Sequence, residues 1–296
     1  MKETWFVSFN LGRAKLSLTR TLLAKAGLTE VADLHPEDHP LAGYCSLTVA
    51  AGHAGVAVLR DELARHGESL SVRLDRRYSD RELDQLPWLQ LIVVTAGLMG
   101  GANYRQPYDR ARACPTCGAG AFPVGALVAE LSRMGRKHID CTAHDGHLVV
   151  TRTLADAVRE AGLTGVDWRP VRRDHKPDPD PGFAWLNVVS QWPRMLPTRV
   201  LAVADLCPAC GKMGHFHPVD RPAEWHYGSV PDQARDFNYT WERFGVWRGK
   251  PWHDDYPPVG GAGGVIVSQR VRQLFARVGV RQVKYAPVYF DGDDRG

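Results

Sequence analysis

No long hydrophobic run, no large excess of one charge and no common catalytic signature occurs in this chain, and each absence removes a class of function. The longest apolar stretch, Leu86 to Met99, is interrupted by Pro87, Gln90, Thr95 and Gly97 and falls short of the ~20 residues that span a bilayer. The start, Met1-Lys2-Glu3-Thr4-Trp5-Phe6, has no apolar run behind basic residues, so no secretory signal is expected and the chain reads as a cytoplasmic protein without membrane association. Lys and Arg number 37 against 33 Asp and Glu, a net charge of +4. Nucleic-acid binding usually needs a clustered basic patch and a higher pI, so nucleic acid is not the expected partner.

The glycine runs Gly97-Leu98-Met99-Gly100-Gly101 and Gly260-Gly261-Ala262-Gly263-Gly264 match neither a P-loop nor a dinucleotide fingerprint. No G-x-S-x-G elbow is present to present a nucleophilic serine. His138, His144 and His147 cluster with Asp140 and Asp145, but there is no H-E-x-x-H to make a hydrolytic metal site of them, and they are expected to be surface-loop histidines. A non-enzymatic protein is therefore expected.

What the chain does contain is size and cysteine pattern. With 296 residues, 44% of them hydrophobic and 24% charged, it has material for one large or two ordinary globular domains. Cysteines number only six, yet four of them form Cys114-Pro115-Thr116-Cys117-Gly118 and Cys207-Pro208-Ala209-Cys210-Gly211. In a reducing compartment paired C-x-x-C segments point to metal or redox chemistry rather than to a disulfide framework. Each segment has the form of a zinc knuckle, with Pro fixing φ and Gly giving the backbone freedom to turn two thiolates toward one ion.

The flanks of the two knuckles repeat. Leu148 to Val171 aligns without a gap on Val265 to Val288, placing Thr151 over Ser268, Gly162 over Gly279, Trp168 over Tyr285 and Pro170-Val171 over Pro287-Val288. The shared pattern is an apolar strand, a Ser or Thr at a helix N-cap, an amphipathic helix, a Gly at its end and a second strand. Upstream, Trp88 to Val93 resembles Trp185 to Ser190.

The fold class expected is therefore α/β (α+β): an N-terminal α/β segment over 1–85, a first knuckle unit over 86–172, and a second over 183–296. The Pro- and Asp-rich stretch 173–182 reads as the linker. In the N-terminal segment a strand from Trp5 to Phe9, helices over 16–26 and 56–66, each closed by Gly, and an alternating strand over 70–74 are expected.

Three arrangements of the thiols are open. Cys114, Cys117, Cys207 and Cys210 can share one closed tetrahedral Zn²⁺ site, which is normally structural. Each unit can instead hold its own ion, the first adding Cys141 and His144 and the second His215, His217 or His226. Finally, the pairs can be metal-free thiols, although the Gly after each second Cys makes a poor helix start for a redox motif. Cys45 is expected to be a small core residue.

With these residues in view, the chain resembles the double-CXXCG motif proteins, a paralogous family of myxobacteria, over Trp88 to Phe290. The resemblance is carried by the two C-P-x-C-G knuckles, the strand-Ser/Thr-helix-Gly-strand-Pro-Val segments and Trp241-Glu242-Arg243-Phe244-Gly245. It implies a non-enzymatic protein whose partner is another protein, some members of that family being described as immunity proteins that neutralise a cognate toxin. The rival reading from the residues is a zinc-ribbon protein that binds nucleic acid through arginines such as Arg105, Arg110 and Arg112 beside the first knuckle.

Overall fold

A computed structural model describes residues 2–12, 15–34, 44–94, 97–104, 106–143, 145–174, 176–196, 202–204, 206–217, 224–244 and 262–291. Helices and many strands combine in a mixed α+β class. Two compact units are present, one built on Met1–Ser79 and the other on Asp80–His217 with Glu224–Gly296.

In the first unit the order is β1 (Lys2–Asn10), α1 (Leu16–Lys25), β2 (Ala32–Leu34), β3 (Tyr44–Ala50), α2 (Ala54–Arg65) and β4 (Ser71–Arg77). The sheet order β2-β3-β1-β4 is antiparallel throughout. β3 lies between β1 and β2, which makes this the β-α-β-β-α-β, or split β-α-β, arrangement. The period-2 alternation of the strands decides the buried face. Val7 and Phe9 of β1 lie opposite Leu47 and Cys45 of β3 and pack with Leu22, Leu23, Leu59 and Leu63 from the helices. Cys45 is fully buried there, and burial, with a smaller contribution from Asp33, pushes its thiol up to about 12.

The second unit opens with the short α3 (Asp80–Asp84) and β5 (Trp88–Val93), then β6 (Tyr108–Asp109), β7 (Phe122–Pro123), β8 (Leu127–Val128) and β9 (Ile139–Cys141). β10 (Leu148–Thr151), α4 (Arg152–Glu160), β11 (Val166–Arg169), β12 (Val171–Arg172) and β13 (Phe183–Val188) follow. The chain ends with β14 (Ala202–Ala204), β15 (Met213–His217), β16 (Trp225–Tyr227), β17 (Phe237–Phe244), β18 (Ala262–Ser268), α5 (Gln269–Val278) and β19 (Val283–Phe290). The larger sheet has the order β14-β15-β17-β18-β5-β19-β16, and a second has the order β11-β13-β10-β9.

The repeated segments adopt the same structure. β10-α4-β11 and β18-α5-β19 are both strand-helix-strand units, with Gly162 and Gly279 closing the helices at φ +60° and +81°. Only glycine adopts that left-handed C′ conformation without strain. Each unit is split by an antiparallel strand from elsewhere: β13 lies between β10 and β11, and β5 lies between β18 and β19. The intervening strands are exchanged. β5, which precedes the first knuckle, completes the strand-helix-strand unit that follows the second, while β13, which precedes the second knuckle, completes the unit that follows the first.

The register also fixes how the leading strands correspond. Ser268 pairs with Trp88 and Tyr285 with Leu91, while Thr151 pairs with Phe183 and Trp168 with Leu186. Trp88 is therefore equivalent to Phe183, two residues from the match with Trp185 that the sequence suggests. A shift of two leaves every side chain on its original face of the sheet, so the hydrophobic pattern alone does not distinguish the two registers.

The helix N-caps differ. Thr151 Oγ accepts a hydrogen bond from the Leu154 amide at 3.4 Å, whereas the Ser268 hydroxyl donates to Asp236 Oδ1 at 2.7 Å. Asp236 is a buried hub: its Oδ2 also accepts from the amide of Thr164 at 2.9 Å and from its hydroxyl at 3.0 Å. It thereby ties the loop before β11 to the start of α5.

Candidate metal centre

Both knuckles sit at the tips of antiparallel hairpins. Cys114 and Cys117 lie between β6 and β7, where Tyr108 pairs with Pro123 and Asp109 with Phe122. Cys207 and Cys210 lie between β14 and β15, where Ala202 pairs with His217 and Ala204 with His215. The local turns are alike: the Gly118 amide donates to the Cys114 carbonyl at 2.8 Å and the Gly211 amide to the Cys207 carbonyl at 2.8 Å. Gly118 and Gly211 have φ of +73° and +65°, a region where a side chain would strain the backbone.

That turn aims amides at sulfur. The Lys212 amide donates to Cys210 Sγ at 3.5 Å, and the Ala119 amide, at the equivalent position of the first knuckle, bonds the Cys117 thiol. Amides of Cys117 and Thr116 bond the Cys114 thiol. Such donors stabilise thiolate over thiol.

The two hairpin tips meet. Cys114 Sγ is 3.8 Å from Cys207 Sγ and Cys117 Sγ is 3.6 Å from Cys210 Sγ. All four sulfurs lie within 4.8 Å of one another, and among the described residues this is the group that could hold a metal ion. Four sulfurs placed tetrahedrally about 2.3 Å from a central ion have edges of about 3.8 Å, so the observed spacing fits a single enclosed cation. A disulfide, at about 2.05 Å, is far shorter, and all four cysteines are free. Cys117 and Cys207 are 2% and 1% exposed and pack with Ala119, while Cys114 and Cys210 are half-buried.

Without a cation, four such thiols do not ionise alike. Burial disfavours charge on Cys114, but the amides of Cys117 and Thr116 and the neighbouring thiols outweigh it and hold this group down at about 6. Burial and the adjacent thiols push Cys117 up, and Cys210 is also raised. A divalent ion would reverse that penalty, because it binds thiolates and displaces their protons. The resulting centre, with four thiolates around a 2+ ion, carries a formal −2. Lys212 and Arg194 both lie over the Trp241 ring, at 5.5 and 5.3 Å from its centroid, and that ring stands 3.9 Å from the position of a Cβ on Gly211. Two cations are thus held beside the knuckle that contains Cys210, a feature that the sequence order of Arg194, Lys212 and Trp241 does not reveal.

The other candidate ligands are placed as follows. Cys141 is on β9, opposite Leu148, outside the four-sulfur group, and burial with the nearby Asp140 charge raises its thiol to about 11. His144 lies outside the described residues, as do the side chains of His215 and His217, whose backbones form β15. The His/Asp cluster is divided among separate partners. His138 Nδ1 is 3.3 Å from Thr151 Oγ, Asp140 is ion-paired with Lys137 at 2.7 Å, and Asp145 accepts a hydrogen bond from Tyr108. His147 lies in the loop before β10, as expected, but is half-buried. Its ring meets the edge of Trp185 at 4.9 Å, its Nε2 is buried, and burial lowers its pKa to about 4, against the opposing charge of Asp145.

No protein-family model matches the chain, and no curated protein matches it. Among the described residues no helix is long and apolar enough to cross a membrane.

Proposed function

We propose that the four cysteines bind one structural Zn²⁺ that clasps the two hairpin tips, and that the protein is a non-enzymatic binding protein of the double-CXXCG type, acting as an immunity protein that occupies the surface of a cognate toxin. The observation that carries the metal assignment is the meeting of Cys114, Cys117, Cys207 and Cys210 at tetrahedral spacing. An all-thiolate set leaves no open coordination position for substrate or water, which favours a structural over a catalytic ion. Tetrahedral sulfur sites take zinc or iron, and the absence of any other redox feature in the sequence favours zinc.

The binding role rests on the resemblance carried by the knuckles and on the lack of a catalytic motif. A net charge of +4 argues against charge mimicry of a basic nuclease surface and for a partner surface that is neutral or acidic. Elemental analysis of the purified protein tests the first part, with one zinc per chain expected; two ions per chain or none would refute a shared clasp. Co-expression with candidate toxins from the same genome tests the second, with restored growth and a co-purifying complex expected for one of them. Failure of both removes the immunity role. Steeply salt-dependent binding to DNA or RNA would instead establish the nucleic-acid alternative.

A further inference from the structure

Among the contacts that join the four sulfurs, which include Cys114 with Cys117 and Cys210, two at 3.8 and 3.6 Å run between the knuckles, first cysteine with first and second with second. Each pair contains one half-buried thiol and one buried thiol: Cys114 with Cys207, and Cys210 with Cys117. An oxidant from solvent thus meets one sulfur of each pair first, and a second sulfur waits behind it. Closing either pair to a disulfide requires the sulfurs to approach by under about 2 Å.

We propose that this centre is a site of reversible oxidation by peroxides, which converts it into two disulfides, Cys114–Cys207 and Cys117–Cys210, that join the two hairpin tips covalently as the metal leaves. The metal-release arm rests on the clasp reading; the disulfide pairing does not.

The chemistry balances with a hydroperoxide as the named oxidant. The Cys114 thiolate attacks one peroxide oxygen, the O–O bond breaks, and the departing oxygen leaves as water after taking a proton, so that Cys114 becomes a sulfenic acid. The Cys207 thiolate then attacks that sulfur, the S–S bond forms, the S–O bond breaks, and the departing hydroxide takes a proton from solvent and leaves as a second water. Two electrons pass from the sulfurs to one hydrogen peroxide, which is reduced to two waters. Cys210 and Cys117 repeat the sequence with a second peroxide. Disulfide sulfur is not a thiolate ligand, so the divalent cation is released.

Two other thiols serve as internal controls. Cys45 is fully buried in the first unit, and Cys141 lies on β9 outside the four-sulfur group; burial raises both thiols. Neither is expected to pair. Cross-knuckle pairing also has a consequence that pairing within each C-x-x-C lacks. The two tips stay joined after the ion has gone, so oxidation exchanges a coordinate clasp for a covalent one.

The test uses the zinc-loaded full-length chain treated with hydrogen peroxide, with released zinc read by a metallochromic dye and disulfides located by non-reducing proteolysis and mass spectrometry. Expected are one zinc released per two disulfides formed, joined peptides containing Cys114 with Cys207 and Cys117 with Cys210, and recovery of the zinc-bound form with dithiothreitol plus zinc. The variant Cys117→Ser with Cys210→Ser should form the single Cys114–Cys207 disulfide. Disulfides between Cys114 and Cys117 or between Cys207 and Cys210, sulfinic acids without disulfides, or sulfurs untouched at a hundredfold peroxide excess would overturn the proposal. If the purified chain holds no metal, the clasp reading fails, while the disulfide pattern of the same chain still decides this one.

Discussion

Replacement of Asp236 by Ala should destabilise the second unit by about 3–5 kcal/mol. Asp236 is 7% exposed and accepts from the Thr164 amide at 2.9 Å, the Thr164 hydroxyl at 3.0 Å and the Ser268 hydroxyl at 2.7 Å. Hydrogen bonds to a charged acceptor contribute about 1.5–3 kcal/mol each, and a stranded buried donor adds its own desolvation. Three bonds at the lower figure give about 4–5 kcal/mol. The Arg270 ion pair at 3.2 Å adds little, because that side chain is 59% exposed and water screens the pair. Asp236→Asn should lose roughly half as much, since one carbonyl oxygen still serves the Thr164 amide while its NH₂ forces the Ser268 hydroxyl to turn and accept. Urea unfolding followed by tryptophan fluorescence is the assay: apart from Trp5, every tryptophan lies beyond Ser79, so the signal reports the second unit. A loss below about 1 kcal/mol for Asp236→Ala, or an Asp236→Asn variant as stable as the parent, would refute the view that this carboxylate, rather than side-chain volume, pins α5 to the loop before β11.

Gly264→Ala should cost about 3 kcal/mol, because a Cβ there would overlap two Trp225 ring atoms and come within 2.9 Å of Phe244, two rings stacked on each other of which Trp225 is buried; an unchanged melting temperature would contradict this. His147, held neutral with a pKa of about 4, makes the fold acid-sensitive. Above pH ~6.5 the ring is neutral in both states, and between there and about 4 only the unfolded chain takes up the proton, so stability falls by roughly 2–3 kcal/mol as pH drops through that window. His147→Gln should remove this component, and an identical pH dependence in the variant would rule it out. Cys117→Ser should abolish stoichiometric zinc and lower thermal stability together, because metal binding and folding are coupled in such centres; full zinc retention would exclude Cys117 as a ligand.

The strand-helix-strand repeats are legible in the sequence because their punctuation is local: a Ser or Thr before each helix, a Gly after it, and Pro-Val closing the second strand. The same locality limits the reading. Thr151 and Ser268 look alike as caps, yet the Ser268 hydroxyl goes to Asp236, a residue 32 positions away in sequence. Which strand splits which repeat is a long-range choice, made by pairing partners such as Leu89 with Val267, and no local signal encodes it. The meeting of the two knuckles follows from hairpins that begin 94 residues apart, Tyr108 and Ala202. In the first unit, β3 is readable in retrospect from the alternation of Cys45, Leu47 and Val49, all buried, with Ser46 and Thr48 between them.

The exchanged strands also set the order in which the second unit can be completed on the ribosome. β10, α4, β11 and β13 are contiguous, so their sheet can close as soon as residue 188 has emerged. β5 is made before all of them, yet its two partners, β18 and β19, arrive last. Until Val283–Phe290 is synthesised, β5 has an unpaired edge, and an unpaired apolar edge is a template for pairing with other chains. A ribosome that stops between residues 188 and 283 therefore releases a chain with one sheet finished and the other open, and such a product would be a natural client for chaperones and proteases.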